Sequence, residues 1–517
     1  MLEKLSGPEN HKGELRYLTA IFLISAVLVF FSIENGHSWG DDFALYIRQA
    51  KSLVEGNILE CMASNARSMA ASDYRMSPDL YPWGLPLLLA PVYYFFGMDL
   101  FAMKLPGAAF FYASLAVVYL MLLKKTDRIS RLLIISLFAF NAYLTDFMNQ
   151  IFSDMPGLFF CLLSIFMIER FVIEKAYFIN KPASFFLIGV SLWSAHLMRP
   201  NYILLLPALF ICQMIDMRKT GKGIAAYLRG NWSFLLPYIA FLLLNFVIDK
   251  ALPRGDSYDF YKDFIAGMEP GKIAGSIYYT AMLPIKFFST DKTIGMVLYL
   301  LTVPFAVKGL RTVWRKDYLY VIFFVSTALF FAFWPGRQGL RYIFSLLPFY
   351  MYFLMVGLKG FSFKGKACGP AVFRGAFSFL MVFFLVQTTY AASQNMSYGR
   401  SIADGPFRPE SAEMTQYIKE HSSKEDVIVF FKPRAMALMT DRDAFFTKEL
   451  SNLAERGDYL VINKKKPRNQ VSIESDEFKD KVGRGAFVKE FENNGFVIYR
   501  INRPSNQDEG NHALSLN

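Results

Sequence analysis

The sequence predicts an all-α polytopic membrane protein of about eleven transmembrane helices, followed by a small C-terminal α/β extracytoplasmic domain. Three observations lead there. The 517-residue chain is 54% hydrophobic and 17% aromatic with 19% charged residues, and its mean hydropathy of +0.28 is too high for a soluble enzyme of this length. Its apolar residues come in blocks of roughly 17 to 22, the length that crosses a hydrocarbon core about 30 Å thick. After Ala392 the composition turns polar and strand-like runs begin.

The apolar blocks fall at 17-34, 101-122, 131-149, 155-172, 184-197, 201-215, 231-248, 293-309, 318-334, 342-358 and 374-391. No secretory cleavage pattern follows the first block, so it is expected to remain as a span. Basic residues cluster in alternate short connections, among them Lys124, Lys125, Arg128 and Arg131, then Arg218, Lys219 and Lys222, then Lys308, Arg311, Arg315 and Lys316. The positive-inside rule puts these connections and residues 1-16 in the cytoplasm. The connections 35-100 and 249-291, and the tail, are then outside the plasma (inner) membrane. The net charge of +12 belongs to those connections and does not point to nucleic acid. Only Cys61 of the four cysteines is expected on the oxidising side, so neither a disulfide nor a thiolate metal site is expected.

Along the first long connection, "ALYIRQAKSLVEGN" spaces its apolar residues as a helix that stops at Gly56, suited to lying along a bilayer surface. Residues 60 to 78 read as a loop, and 81 to 97, broken by Pro82, Pro86 and Pro91, as an interfacial or re-entrant element. In the tail domain, 392-505, "PESAEMTQYIKEHSS" reads as a helix and "DVIVFF", "DYLVINK" and "GFVIYRI" as strands, with 506-517 disordered.

Ionisable residues gather where spans meet the outer face. Asp41 and Asp42 follow the first span, Asp154 lies between the third and fourth, His196 and Arg199 between the fifth and sixth, and Arg337 and Arg341 between the ninth and tenth. Charged groups at membrane depth cost roughly 2.5 to 3.5 kcal/mol each, so they tend to face a cavity and pair. Arginines suit a phosphate and carboxylates a proton or a metal, a set fitted to an anionic, membrane-borne ligand. Capping of the helices that follow is the other reading of Asp41, Asp42 and Asp154, and snorkelling that of the arginines. His37 and His196 read first as ordinary hydrogen-bonding groups.

The order of an acidic residue after span one, "YPWGLP", "FSDMP", "MRPNYILLLP" and "GLRYIFSLLPF" resembles the GT-C superfamily of membrane glycosyltransferases. The likeness is nearest to bacterial relatives of protein O-mannosyltransferases and of the aminoarabinose transferase that modifies lipid A. The tail stretch "KPRAMALMTDRDAFF" is similar to tails of that group. The resemblance implies inverting transfer of a sugar from a polyprenyl-phosphate donor to a protein, lipid or glycan acceptor at the outer face. The family pattern Asp-Glu-x-x-Tyr maps onto Asp42 and Tyr46, with Phe43 in place of the glutamate, and the second acidic position maps onto Asp154. Asp42, Asp154 and Asp41 are then the catalytic candidates. The lipid A branch has a lysine where this chain has Tyr81, so the phosphate contact falls to Arg199, Arg337 or Arg341. A divalent cation, if used, has Asp42, Asp154 and His196 as candidate ligands. A transporter or flippase of a lipid-linked glycan, or a polysaccharide ligase, would also use such a cavity. Against the transporter, no half of the chain repeats; against the ligase, the 249-291 loop carries one Arg and no His.

Overall fold

The computed structural model describes residues 11–221, 223–256, 262, 270–334, 336–364, 366–402 and 404–502. Residues 257-261 and 263-269 of the connection 249-291, and the final segment 506-517, lie outside them. Helices dominate because an apolar segment in lipid must satisfy its own backbone groups. Among the described residues seven helices are long and apolar enough to span: Gly13–Ser32, Leu100–Leu122, Asp154–Ile173, Pro200–Thr220, Trp232–Ala251, Lys292–Val313 and Gly369–Ser397. The other expected blocks are helical over Arg128–Ala139, Lys181–Met198, Tyr318–Ala332 and Leu347–Lys359. The block 131-149 breaks at Asn141, whose side chain caps a second short helix, Ala142–Phe147, by accepting from Leu144 N at 3.1 Å.

Charge is sorted to the two ends of the bundle. At one end the basic connections are tied down by ion pairs: Lys125 to Asp317 at 2.5 Å and Glu169 at 2.6 Å, Arg131 to Glu14 at 2.8 Å, and Lys359 to Asp127 at 2.5 Å. The opposite end holds the first connection and the tail domain. Helix Asp42–Glu55 forms as the sequence predicts and ends at Gly56 with φ +76°. Its apolar side does not rest on lipid. Phe43, Ala44, Ile47 and Ala50 are fully buried with Leu85 and Leu89 of helix Gly84–Phe96 and with Ala435 and Leu438 of the tail helix Pro433–Thr440. The predicted loop at 60 to 78 is instead largely a helix, Ile58–Ala71. Its Ala and Met residues are good helix formers. Its Ser64 and Arg67 side chains reach Asp443 of the tail at 2.6 Å and 2.5 Å.

The tail carries helix Pro409–His421 and a five-stranded mixed sheet. After the short hairpin β1 (Ser362–Phe363) and β2 (Lys366–Ala367), the strands are β3 (Ile428–Val429), β4 (Ala444–Phe445), β5 (Tyr459–Asn463), β6 (Phe487–Glu492) and β7 (Phe496–Ile501), in the order β4-β3-β5-β7-β6. β3 is parallel to β4 and β5, while β7 is antiparallel to β5 and β6. Strand alternation sends Ile428, Tyr459, Val461 and Ile498 to one core and Val429, Leu460, Ile462 and Val497 to the other. β4 and β6 escape sequence reading because β4 is only two residues long and β6 is charged and mostly exposed.

Gly84 fixes how the first connection meets the bundle. A methyl group there would stand 2.6 Å from Met198 Sδ and 2.7 Å from the Leu197 carbonyl, so only glycine lets "YPWGLP" reach the end of helix Lys181–Met198. Gly84→Ala is therefore expected to destabilise the detergent-solubilised protein by about 1 to 3 kcal/mol, read as a lower midpoint of thermal unfolding. An unchanged midpoint would refute this close approach.

Candidate functional site

Five charged side chains from five helix or turn ends converge. Asp42 opens helix Asp42–Glu55, Asp154 opens helix Asp154–Ile168, Arg199 closes helix Lys181–Met198, Arg341 sits in the 3₁₀ turn Gly339–Ile343, and Arg434 lies in the first turn of Pro433–Thr440. Gly157, one turn into its helix, admits this convergence: a methyl group there would lie 3.0 Å from the Tyr202 ring and 3.5 Å from Arg199 Cδ.

Arg341 is shared between the two carboxylates. Its Nε donates to Asp154 Oδ1 at 3.1 Å, its Nη2 pairs with Asp154 Oδ2 at 2.8 Å, and its Nη1 donates to Asp42 Oδ2 at 3.5 Å. The guanidinium lies 4.3 Å from the Phe152 ring centroid, a cation–π contact that leaves both arms of the fork free for carboxylates. Arg199 pairs with Asp154 as well. The Asp154 side chain is only 1% exposed, so it is locked between two guanidiniums, whereas Asp42 is 31% exposed and lines a cavity.

Asp42 has two further partners. The Tyr81 hydroxyl donates to Asp42 Oδ1 at 2.6 Å, and Arg434 Nη1 stands 3.7 Å from the same oxygen. Burial on its own would raise the Asp42 carboxyl, but Arg341, Arg434 and the Tyr81 hydroxyl outweigh it and hold the group below the usual carboxylate range. Burial pushes the Tyr81 hydroxyl well up, so it stays a donor. Tyr81 stacks on Tyr46 at 4.8 Å, and the Tyr46 hydroxyl is 3.2 Å from Ser153 Oγ. The adjacent Asp41 takes a different environment, raised by burial and opposed by Arg434 and Lys432. Its carboxylate makes no side-chain hydrogen bond and forms no cap on the helix that follows.

The cavity has a volume of about 270 Å³. Asp42, Tyr46, Tyr81, Arg199 and Arg341 form its polar end, and Ile203, Phe330, Phe331 and Trp334 its apolar side. A second, apolar groove of about 420 Å³ runs between helices Lys292–Val313, Tyr318–Ala332 and Leu347–Lys359, lined by residues such as Val303, Val307, Phe324 and Leu346. The polar end of the cavity thus suits an anion and its apolar side a hydrocarbon chain.

Of the residues singled out from sequence, Asp42, Asp154, Tyr46, Tyr81, Arg199 and Arg341 meet here, with Asp41 behind them against the tail. Arg337 does not. It is exposed and lies over the Tyr279 ring at 5.6 Å, because the chain turns at Gly339 (φ +78°) before Arg341. His196 is also apart, its Nδ1 3.2 Å from the Pro200 carbonyl and its ring 5.4 Å from Phe241. His37 is buried, stacked 3.9 Å from Phe43, and accepts from Ile151 N at 3.3 Å through Nε2; burial lowers it to about 4, so it is neutral at physiological pH. The metal candidates therefore do not assemble. Both carboxylates are held by guanidiniums, His196 faces elsewhere, and among the described residues no three His, Cys, Asp or Glu side chains converge. Arg434 is the residue that sequence reading passed over, although "KPRAMALM" places one arginine inside an otherwise small and apolar helical run.

No family model and no curated protein matches this sequence. Solved structures do share its fold. ArnT from Cupriavidus metallidurans in the apo state superposes with a TM-score of 0.58 at 12% identity over 94% of this chain and 98% of that one. The same protein bound to undecaprenyl phosphate gives 0.58 at 11% identity, over 93% and 97%. The archaeal oligosaccharyltransferase AglB from Archaeoglobus fulgidus, in complex with an inhibitory peptide and a dolichol-phosphate, gives 0.52 at 12% identity, over 87% of this chain and 69% of that one. The chain is a multi-pass membrane protein with the fold of the GT-C membrane glycosyltransferases.

Removing one partner from a buried ion pair leaves the other uncompensated, at about 3 to 5 kcal/mol. Arg341→Met leaves Arg199 on Asp154 and Arg434 near Asp42, so it is expected to destabilise by less than that, about 1 to 3 kcal/mol, whereas Arg337→Met, on an exposed side chain, should change stability by less than about 0.5 kcal/mol. Chemical denaturation of the two variants side by side would measure this, and equal losses would refute the assignment of Arg341 to the carboxylates.

Proposed function

We propose that this chain transfers a sugar, with inversion, from a polyprenyl-phosphate donor to a protein, lipid or glycan acceptor. The observation that carries the reading is a single cavity with a charged end, Asp42, Arg199 and Arg341, and an apolar side, Ile203, Phe330, Phe331 and Trp334. Two guanidiniums, Arg199 and Arg341, and one carboxylate, Asp42, line its charged end, a surplus of positive charge suited to a lipid phosphate. The similar proteins ArnT and AglB have been solved bound to undecaprenyl phosphate and with a dolichol-phosphate respectively, which agrees with that chemistry. The cavity end of the bundle, with the tail domain, faces outward in this reading. The basic connections tied down at the other end support a cytoplasmic placement there.

In the proposed reaction the acceptor hydroxyl attacks C1 of the sugar as the bond from C1 to the phosphate oxygen breaks. The hydroxyl proton passes to Asp42, the exposed carboxylate, and polyprenyl phosphate leaves with the electron pair of the broken bond. Arg199 and Arg341 neutralise the charge that grows on the phosphate, an effect strengthened as the donor excludes water. A phosphate that draws Arg341 toward itself weakens its hold on Asp42 and makes that carboxylate a better base when it is needed. Asp154, deeply buried, holds the two arginines in place and does not touch the acceptor.

Purified protein supplied with polyprenyl-phosphate sugars and an acceptor panel should release polyprenyl phosphate, and Asp42→Asn should lower the rate by about 10²- to 10⁴-fold while the fold is retained. Full turnover by a folded Asp42→Asn would refute Asp42 as the base. A panel that yields no turnover, together with translocation of a lipid-linked glycan in proteoliposomes, would instead favour a transporter.

The pH profile is a second test. The base must be ionised, and its partners lower the carboxyl, so the acid limb of kcat/KM should fall below pH about 3.9, the unperturbed aspartate value. A limb near pH 6 would contradict this environment for Asp42.

A further inference from the structure

Arg434 lies almost 400 residues from Asp42 in the chain, in a different domain, yet it is only 1% exposed and reaches the candidate base. Its Nη1 donates to the Tyr81 hydroxyl at 3.0 Å, and that hydroxyl in turn donates to Asp42. Its Nη2 is held by Ser77, with Met69 Sδ at 3.8 Å, both from the first connection. The helix that carries Arg434 packs against helix Asp42–Glu55, and Lys51 to Asp441 (2.8 Å), Arg67 to Asp443 (2.5 Å) and Thr447 to Asp73 (2.5 Å) fasten the same surfaces together. Burying a guanidinium away from water is costly unless it is paired and hydrogen-bonded. Simple docking of a domain would be served by the peripheral pairs alone.

We propose that the tail domain completes the site, with Arg434 as a positioning residue that fixes the Tyr81 hydroxyl on Asp42 and keeps Asp42 ionised, so that catalytic competence depends on a docked tail. This rests on the proposed role of Asp42 as base. The charged and titratable groups that face Asp42 are Arg341 from the 3₁₀ turn, Arg434 from the tail, Tyr81 from the segment before Gly84, His37 from the start of the first connection, Asp41 just before its helix and Tyr46 within it, with Arg199 and Asp154 beyond Arg341. Removal of Arg434 leaves Arg341 as the single guanidinium at Asp42, without the anchor for Tyr81.

The test reads Asp42 directly and needs no substrate. Water-soluble carbodiimide modifies protonated carboxyls, and peptide mass spectrometry gives the extent of Asp42 labelling against pH. Loss of an opposite charge a few ångström away should move the labelling midpoint upward by about one pH unit in Arg434→Gln. Arg434→Lys, which keeps the charge, should stay near wild type. A purely structural arginine would alter the unfolding midpoint and leave the labelling midpoint in place. Should Arg434→Gln not fold, Arg434→Met, which preserves the packing of the buried stem, makes the same comparison. An unshifted labelling midpoint in either folded variant overturns the proposal. If the midpoint shifts as expected and wild type nevertheless releases no polyprenyl phosphate, the positioning role stands and the reading of the reaction falls.

Discussion

Everything at this site depends on one guanidinium shared by two carboxylates. Asp154 is buried at 1% exposure, where an isolated charge would cost several kcal/mol, and Arg341 with Arg199 makes its ionised form tolerable. The same Arg341 extends to Asp42, which stays partly exposed to the cavity. A rigid, deeply held carboxylate thereby aims an arginine fork at one that faces the cavity. The distances grade the grip, 2.8 Å to Asp154 against 3.5 Å to Asp42, so a ligand phosphate would loosen the second contact before the first.

The rest of the fold positions that fork. The five charged side chains all sit at ends of helices or in turns, the places where an apolar bundle can hold charge without unsatisfied backbone. Gly84 and Gly157 remove the bulk that would keep the ends of neighbouring helices apart. The tail sheet and its helix Pro433–Thr440 then cover the first connection. The side that the sequence made amphipathic is thus buried between protein surfaces and not against lipid.

Much of this was legible in the sequence because each legible feature has a short-range physical cause. Apolar run lengths placed the helices, and the positions of Asp42, Asp154, Arg199 and Arg341 at the ends of those runs placed most of the site. Tyr46 came from the resemblance, as the tyrosine of the family pattern that starts at Asp42. What escaped depends on long-range packing. Nothing local distinguishes Arg337 from Arg341; the turn at Gly339 sends one outward and the other to Asp154. Arg434 was invisible because its partners, Tyr81 and Ser77, lie some 350 positions earlier. The helix Ile58–Ala71 was missed because a run of small residues reads as a loop until the tail surface that it packs against is known.

The central claim is that guanidiniums in this cavity take a lipid phosphate while its apolar side takes the adjoining part of the lipid chain. The most direct measurement is the affinity of the purified protein for undecaprenyl phosphate against undecaprenol, which carries the same chain without the phosphate, in wild type and in Arg199→Gln. A preference for the phosphate of tenfold or more, about 1.4 kcal/mol, that shrinks in the variant is the result predicted. Equal binding of the two lipids by wild type would contradict the account.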